Sequence, residues 1–494
     1  MNKSSHDKTQ VNAAPIVKSA EPSGPPTKPW KDWAPLALLI VTYLIFAYLH
    51  IVSTPTGATG YQDAPDEAAH VSYVQSVALG HFPSKAQPHA GTQNSYPDYE
   101  WHQPPLYYLL AVPFLAGGER GVRVLSVLLG IGSILFVYRI TCLLRPRDRY
   151  TPLVAAGICA LTPGHIAINS SVNNDSLLEL AFCATLYCLI SLVVDIDTGD
   201  ITVKRACLTG LCLGIGLVTK TTALLLIPVV ITVGAILVKL GKPRREVARY
   251  LAITGTTALL ISGWWFVRNV MLYHEPLPLH AFQKSFGGTA LAREVVQGGL
   301  GLNVHGWPEY WQKVIAWCFS SFWAVYGTPR SAVFGVPLYL PDFVYYLLAM
   351  IVIATVAGMG RLHFKRDTLF TVQCRYALYV LFVTLGLVGA AYALFVSQYF
   401  QTQGRYLYPA MSAIAPIIAV GWLAHFPARY EKSAAVGLLV FLFLTTALFS
   451  VTTEGRSQLP AITRRLNSQP VHSVVCAAVF STTEVESYRI KRRY

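Results

Sequence analysis

The stretch APLALLIVTYLIFAYLHIV (34–52) runs for 19 residues without an aspartate, glutamate, lysine or arginine. An α-helix of about 20 apolar residues is long enough to cross the roughly 30 Å hydrocarbon core of a membrane. Similar apolar blocks follow at 122–143, 151–169, 176–195, 206–220, 221–239, 250–268, 341–360, 376–396, 407–424 and 433–452. The sequence therefore predicts an all-α polytopic membrane protein with about eleven transmembrane helices.

The composition agrees with this class. Of the 494 residues, 53% are hydrophobic and 13% are charged, whereas about a quarter of a soluble chain is charged. The net charge of +14 arises largely from short loops between the apolar blocks. No basic stripe is interleaved with aromatic residues, so we expect no nucleic-acid partner. Most of the nine cysteines, Cys159 among them, fall inside apolar blocks and are expected to be buried hydrophobes rather than metal ligands.

Loop charge predicts the orientation. The basic loops RPRDR (145–149), KLGKPRREVAR (239–249), GRLHFKR (360–366) and ARYEK (428–432) all fall on one side of the predicted bundle. Because basic loops stay on the cytoplasmic side, the N-terminus is predicted to be cytoplasmic and the chemistry to lie outside. The setting that fits best is a bacterial plasma (inner) membrane.

The chain is expected to divide into three parts. Residues 1–30 are predicted to form a disordered cytoplasmic tail, 31–452 the transmembrane domain, and 453–494 a short outer tail. The transmembrane domain includes two long outer loops, 53–121 and 270–340. The apolar pieces PPLYYLLAVPFLAG (104–117) and VIAWCFSSFWAVYG (314–327) in these loops are too short to span, so we expect interfacial helices there.

Acidic residues gather after the first helix, in YQDAPDEAAHVSYVQ (61–75). Asp66, Glu67 and His70 follow a proline and fit the first turn of a helix, where the macrodipole favours carboxylates. Helix capping alone would explain them. A carboxylate beside a membrane face can also be the general base for a hydroxyl acceptor.

Two further polar clusters are predicted near Asp66, around one substrate cavity on the outer side of the membrane. His102 and Gln103 lie in EWHQPPLYYLL (100–110), where an interface belt of aromatic residues is the simpler reading. PGHIAINSSVNNDSLLEL (163–180) places Asn174 and Asp175 at the start of a helix, where Asp175 fits both a cap and an active-site acid.

Four cations lie at predicted outer ends of spans, namely Arg123, Lys220, Arg268 and Arg405. A lysine or arginine at the edge of a membrane cavity requires an anionic partner. Four on one face indicate an anion site, and phosphate is the natural ligand because arginine binds it bidentately and lysine acts as a point charge.

Together, these motifs resemble the GT-C superfamily of membrane glycosyltransferases. The motifs are PDEAAH (65–70), WHQPPLYY (101–108), RVLSVLLG (123–130), NND (173–175), LVTK (217–220), GWWFVRNVMLYHEPL (263–277), SFWAVYG (321–327) and QGRYLYPA (403–410). They are most similar to the branch of protein O-mannosyltransferases and lipid A aminoarabinose transferases, and to uncharacterised bacterial membrane proteins that share the first and last motifs.

The resemblance implies a GT-C-type bundle and an inverting transfer of a sugar from a polyprenyl-phosphate donor to a hydroxyl of a cell-envelope glycan, lipid or protein. It assigns the base to Asp66 and further acids to Glu67 and Asp175. His70, His102, Gln103, Asn174 and Tyr406 are expected to line the substrate cavity. The chain departs from its relatives at Gln103, where a lysine often helps to hold the lipid phosphate. Lys220, Arg268 or Arg405 is expected to replace that lysine, and His102 is a further candidate; Arg123 completes the expected phosphate-binding set.

Alternatives remain at this stage. No cofactor is required, although Asp66, Glu67, His70 and His102 could ligate a divalent cation, Mg²⁺ or Mn²⁺; Asp63 is a further oxygen ligand. A transporter or flippase for a lipid-linked saccharide would use the same cations without a base. A polymerase or ligase would use a pyrophosphate-linked glycan.

Overall fold

The structure is a computed structural model that describes residues 30–54, 56, 66–82, 99–146, 148–197, 199–285, 290–299, 304–326, 338–364 and 370–457. Almost all of the predicted N-terminal tail (1–30) and most of the predicted C-terminal tail (453–494) lie outside these ranges. Helices dominate the described residues. They are α1 (Trp30–Ser53), α2 (Glu67–Ala78), α3 (Leu106–Ala111), α4 (Gly118–Leu144), α5 (Tyr150–Ala160), α6 (Pro163–Asn169), α7 (Asp175–Val194), α8 (Val203–Leu217), α9 (Leu226–Lys239), α10 (Arg244–Tyr273), α11 (Leu279–Ser285), α12 (Ala292–Val296), α13 (Trp307–Ala324), α14 (Asp342–Phe364), α15 (Val372–Gln398), α16 (Met411–Leu423) and α17 (Ala428–Ser457).

The described strands are two short ones, β1 (Val325–Tyr326) and β2 (Leu338–Tyr339), which pair antiparallel after α13. The all-α polytopic prediction is therefore confirmed for the bundle.

The number of spans is lower than the predicted eleven. Nine helical stretches in the described ranges are long and apolar enough to cross a membrane, and α5 with α6 forms a tenth if this pair counts as one span. The pair bends by 62° because Pro163 starts α6 and cannot continue the hydrogen bonds of α5. The remaining predicted span corresponds to α8, which has 15 residues and is short for a bilayer. The count of eleven is not confirmed.

The first predicted interfacial piece joins a span directly. Residues 104–117 contain α3 and a 3₁₀-helix, Val112–Gly117, which leads without a loop into α4. In the second piece, residues 314–324 lie in α13, which begins at Trp307, and 325–326 form β1; residue 327 lies outside the described ranges.

Helix α7 lies at the centre of the bundle. It is apolar on all sides, 67% of its most apolar stretch is buried, and it packs against α4, α8, α9, α15 and α16. A helix that is hydrophobic all round is stable only when neighbours surround it. Its first residue, Asp175, is therefore fixed in the middle of one end of the bundle.

Candidate active site

Asp66 faces a buried arginine. It immediately precedes α2 in the left-handed conformation, with φ at 62°, which aspartate tolerates better than most residues. Its Oδ2 accepts a hydrogen bond from Nη2 of Arg405 at 2.7 Å. The Asp66 side chain is 42% exposed and that of Arg405 8%. This carboxylate is thus charge-paired on one side and open to solvent on the other.

Asp175 extends the charged cluster. Its Oδ1 lies 2.5 Å from Nζ of Lys220, and its Oδ2 lies 4.0 Å from Nη1 of Arg405. Oδ2 makes no hydrogen bond within the described part of the chain. Arg405 therefore stands between two carboxylates, and Lys220 closes the row. We call Asp66, Arg405, Asp175 and Lys220 the charged cluster.

The charged cluster depends on breaks between helices. Lys220 is extended, with φ at −159°, between α8 and the 3₁₀-helix Thr221–Leu225. Arg405 lies in the 3₁₀-helix Gly404–Ala410, which leads into α16. Gly404 lets this turn approach α13, since a Cβ there would lie 2.3 Å from the backbone nitrogen of Phe322. These breaks bring side chains that are distant in sequence to one point.

The cations control the protonation of Asp66. Partial desolvation by the surrounding protein favours its neutral form, but the Arg405 guanidinium, with Lys220 further away, outweighs that effect and lowers the pKa of Asp66 below its usual value. Burial lowers the pKa of His70, whose Nδ1 lies 2.9 Å from the hydroxyl of Tyr108. Near neutral pH, Asp66 is therefore an ionised carboxylate next to a neutral imidazole.

Glu100 is a residue of this site that the sequence analysis did not select. It is 6% exposed, and burial raises the pKa of its carboxyl, while the charges of His70, Lys220 and Arg405 oppose that rise. Glu100 is thus electrostatically coupled to the charged cluster. Its position in EWHQPP, two residues before His102, was the feature of the sequence that could have identified it as a site residue.

Glu67 and Arg123 are paired with each other. The Arg123 Nε and Nη2 each donate to one Glu67 carboxylate oxygen at 2.8 Å, and both side chains are fully buried. The backbone N–H of Val172 also donates to Glu67, while Nη1 of Arg123 donates to the carbonyls of Ile51 and Thr54. This pair ties α2 to α4, to the end of α1 and to the segment before α7. The structure therefore places both residues behind Asp66 rather than in the charged cluster.

His102, Gln103 and Asn174, which were predicted to line the cavity, are all buried. His102 Nε2 lies 3.3 Å from Nε2 of Gln103, and the Gln103 carbonyl accepts a hydrogen bond from Tyr73. Asn174 precedes Asp175 and contacts the carbonyl of Thr219 at 3.4 Å. Through Thr219, Asn174 lies next to the chain break that carries Lys220.

The remaining two predicted residues differ in position. Tyr406 follows Arg405, whose guanidinium carbon lies 5.2 Å from the centroid of the Tyr406 ring. Arg268 lies near the end of α10, with its guanidinium over the ring of Trp265 at 4.2 Å and a hydrogen bond to Asn269. Tyr406 is therefore part of the charged cluster's surroundings, whereas Arg268 contacts none of the cluster's carboxylates among the described contacts.

The four residues predicted as ligands of Mg²⁺ or Mn²⁺ do not converge on one point. Asp66, Glu67, His70 and His102 contact Arg405, Arg123, Tyr108 and Gln103, respectively; Asp63 lies outside the described residues. Within the ranges that the structure describes, the one group of three metal-ligating side chains with donors within 4.8 Å consists of Cys159, His165 and Glu179.

Comparison with known proteins agrees with this fold. The family model for dolichyl-phosphate-mannose-protein mannosyltransferases matches residues 96–277, which is less than half of the chain but includes Asp175 and Lys220. No curated protein matches the chain in sequence.

Solved structures share the architecture. The oligosaccharyltransferase of Archaeoglobus fulgidus in the apo form superposes with a TM-score of 0.51 at 14% identity, covering 86% of this chain and 56% of that one. AglB of the same organism, in complex with an inhibitory peptide and a dolichol-phosphate, has a TM-score of 0.50 at 13% identity, covering 90% of this chain and 59% of that one. ArnT of Cupriavidus metallidurans bound to undecaprenyl phosphate has a TM-score of 0.46 at 14% identity, covering 90% of this chain and 81% of that one.

The chain therefore has the fold of the GT-C membrane glycosyltransferases, and the resemblance deduced from its motifs is confirmed at this level. It spans little more than half the length of the two archaeal chains.

Proposed function

We propose that this protein is a glycosyltransferase that moves a sugar from a polyprenyl-phosphate donor to a hydroxyl group of a cell-envelope acceptor, with inversion at the anomeric carbon. The observation that carries the proposal is the charged cluster, in which Asp66 is ionised, part-exposed and held 2.7 Å from Arg405. The match to the mannosyltransferase family model over 96–277 supports a lipid-phosphate donor.

In the proposed reaction, the acceptor oxygen attacks the anomeric carbon from the face opposite the phosphate. The acceptor O–H proton passes to the Asp66 carboxylate, and the bond between the anomeric carbon and the phosphate oxygen breaks. That bond's electrons leave with polyprenyl phosphate, which gains one negative charge. A positioned base contributes roughly 10²–10⁴-fold to such a step.

Arg405 and Lys220 are the proposed partners of the leaving phosphate. Without donor, Lys220 pairs with Asp175 and Arg405 pairs with Asp66, so both cations already have a counter-charge within the cluster. A donor phosphate would share these cations, and Asp66 would lose part of the stabilisation that keeps its pKa low. Donor binding would thus make Asp66 a stronger base when the acceptor arrives.

The other selected residues receive supporting roles in this proposal. Asp175 orients Lys220 and Arg405 from the buried side, and the Glu67–Arg123 pair fixes the start of α2 and therefore the position of Asp66. His70, His102, Gln103, Asn174 and Tyr406 line the cavity. Arg268, stacked on Trp265, lies on α10 at the edge of the site and is proposed to contact the donor.

The proposed location is the bacterial inner membrane, with the site on the extracytoplasmic side. The support is the distribution of basic loops, since α4 leads away from Arg123 toward 145–149, and α9 away from Lys220 toward the basic residues after Lys239. By the positive-inside rule, that far end is cytoplasmic.

The decisive experiment measures transfer from radiolabelled polyprenyl-monophosphate sugars by the full chain in nanodiscs. We compare wild type with Asp66→Asn, which keeps the size of the side chain, and with Asp342→Asn, an exposed carboxylate at the start of α14. We expect Asp66→Asn to lose at least about 10²-fold in rate while remaining folded and donor-bound, and Asp342→Asn to match wild type.

Other outcomes separate the alternatives. If wild type binds the lipid and moves it between leaflets of a vesicle without cleavage, the protein is a flippase and the assignment of a base is wrong. If only pyrophosphate-linked glycans are consumed, the protein is a polymerase or ligase. An active Asp66→Asn variant would move the base elsewhere, with Glu100 the next residue to replace.

A further inference from the structure

A second polar cluster lies inside the bundle, apart from the charged cluster. Cys159 lies near the end of α5, His165 and Asn169 lie on one face of α6, and Glu179 is on α7, one turn after Asp175. All four residues are at most 1% exposed. Buried polar groups within a membrane require strong partners, because no water is available to them.

One ring nitrogen is the focus of this cluster. His165 Nε2 lies 2.8 and 2.9 Å from the two Glu179 carboxylate oxygens, 3.0 Å from Nδ2 of Asn169 and 3.8 Å from Sγ of Cys159. Meanwhile Nδ1 of His165 and Oδ1 of Asn169 have no hydrogen-bond partner in the described part of the chain.

One protonation state satisfies most of these contacts. If Nε2 of His165 carries a proton, it donates to Glu179, and Nδ2 of Asn169 donates to the His165 carbonyl at 3.2 Å and to Glu179 at 3.4 Å. The 3.0 Å contact between Nε2 and Nδ2 of Asn169 then brings two donors together, and a flip of the amide would turn its oxygen toward Nε2 instead. A cation in place of the Nε2 proton would meet nitrogen, oxygen and sulfur ligands at this one point.

We propose that Cys159, His165, Glu179 and Asn169 form a buried structural zinc site. A tetrahedral Zn²⁺ takes a thiolate, an imidazole and oxygen ligands at about 2.0–2.3 Å. The three conventional ligand atoms already lie within 4.8 Å of one another, so side-chain adjustments would suffice. With Cys159 deprotonated, the Cys159 thiolate and the Glu179 carboxylate would carry two negative charges, which would balance the two positive charges of Zn²⁺. A site without net charge suits the membrane interior.

This assignment differs from the expectation that Cys159 is merely a small buried hydrophobe. The site would join α5, the bent α6 and α7 at the break between the two halves of the tenth span. It would therefore fix the start of α7, where Asp175 belongs to the charged cluster. The role of the zinc would be structural. The zinc proposal therefore does not depend on the proposed transfer reaction.

The test is the metal content of the full-length protein, produced in zinc-supplemented medium and purified with a tag that binds no metal. We expect one zinc per chain by elemental analysis in wild type and in Asp66→Asn, whose substitution lies outside the site. Cys159→Ser is expected to lose the metal. Cys183→Ser is the matched control, because Cys183 is an equally buried thiol on α7 outside the cluster.

Protein produced with cobalt in place of zinc adds a second readout. Wild type and Cys183→Ser should show tetrahedral d–d bands and a thiolate-to-cobalt charge-transfer band in the near ultraviolet, and Cys159→Ser should lack the latter. If Cys159→Ser does not fold, the charge-transfer band of wild type decides by itself. Folded wild type without metal, or a metal retained without a thiolate band, would overturn the site and leave His165 and Glu179 as a hydrogen-bonded pair.

Discussion

Replacement of Arg405 by glutamine separates a role in catalysis from a role in stability. Arg405 donates to Asp66 at 2.7 Å and lies 4.0 Å from the second oxygen of Asp175. Because the Asp66 side chain is 42% exposed but that of Arg405 is 8% exposed, the loss in folding stability should lie between about 1 kcal/mol for an exposed ion pair and about 3–5 kcal/mol for a buried one. Asp175 keeps Lys220 at 2.5 Å. The variant should therefore remain folded.

The effect on the reaction is distinct from the effect on stability, because it is measured on the folded protein. Loss of one preorganised charge partner of a developing anion costs of the order of 10²–10³-fold in turnover, about 2.7–4 kcal/mol. The pH profile should change as well. Arg405 lowers the pKa of Asp66, and the base acts only when ionised, so its loss raises that pKa and moves the acidic limb of kcat/KM to higher pH.

Initial rates of sugar release from the lipid donor across pH, together with thermal unfolding in the same nanodiscs, measure both effects. Arg405→Lys is the matched control. It keeps the charge, but its single ammonium cannot serve both carboxylates as a guanidinium does, so its rate should be intermediate and its acidic limb close to that of wild type. An Arg405→Gln variant with wild-type turnover and an unmoved acidic limb would refute the coupling of Arg405 to Asp66.

Three further predictions follow from the contacts. Glu67→Gln leaves the buried Arg123 without its counter-charge and should destabilise the protein by about 3–5 kcal/mol, seen as a shorter half-life of monodisperse protein; an unchanged half-life would contradict the role of this pair. Lys220→Met should lower turnover by about 10²–10³-fold, whereas Lys220→Arg should retain more activity; equal rates for both variants would exclude a charge role. Gly404→Ala should displace the 3₁₀-helix and reduce transfer, because its Cβ would lie 2.3 Å from a backbone nitrogen, while Gly386→Ala has open space around it and should be neutral; equal activities would contradict the packing argument.

The sequence was sufficient for the parts of the fold that depend on local composition. Apolar length gave the class and most of the spans, because the bilayer sets the length of a helix. Apolar length was insufficient to count the spans where helices are short or interrupted. The apolar block 206–220 has 15 residues, which is short for a bilayer, and counting it as a span made the predicted count higher than the structure supports.

The different contacts of the neighbouring residues Asp66 and Glu67 also could not be predicted from the sequence. Asp66 and Glu67 are adjacent, and both were selected as catalytic acids. In the structure, Asp66 points to Arg405, 339 positions away, while Glu67 points to Arg123, 56 positions away. Which carboxylate pairs with Arg405 depends on long-range packing and on the left-handed backbone of Asp66, neither of which a local pattern records.

Exposure distinguishes the proposed roles within the charged cluster. Its two carboxylates are chemically equal and contact the same guanidinium, yet the side chain of Asp66 is 42% exposed and that of Asp175 is 8% exposed. An acceptor hydroxyl arriving from outside can reach the first and not the second. A buried carboxylate paired with Lys220 cannot give up its charge to a proton without leaving a cation unpaired in a poorly solvated place. Asp66 is therefore suited to exchange protons and Asp175 to keep its charge, so that Asp175→Asn should weaken donor binding while Asp66→Asn should slow the transfer of the bound donor's sugar.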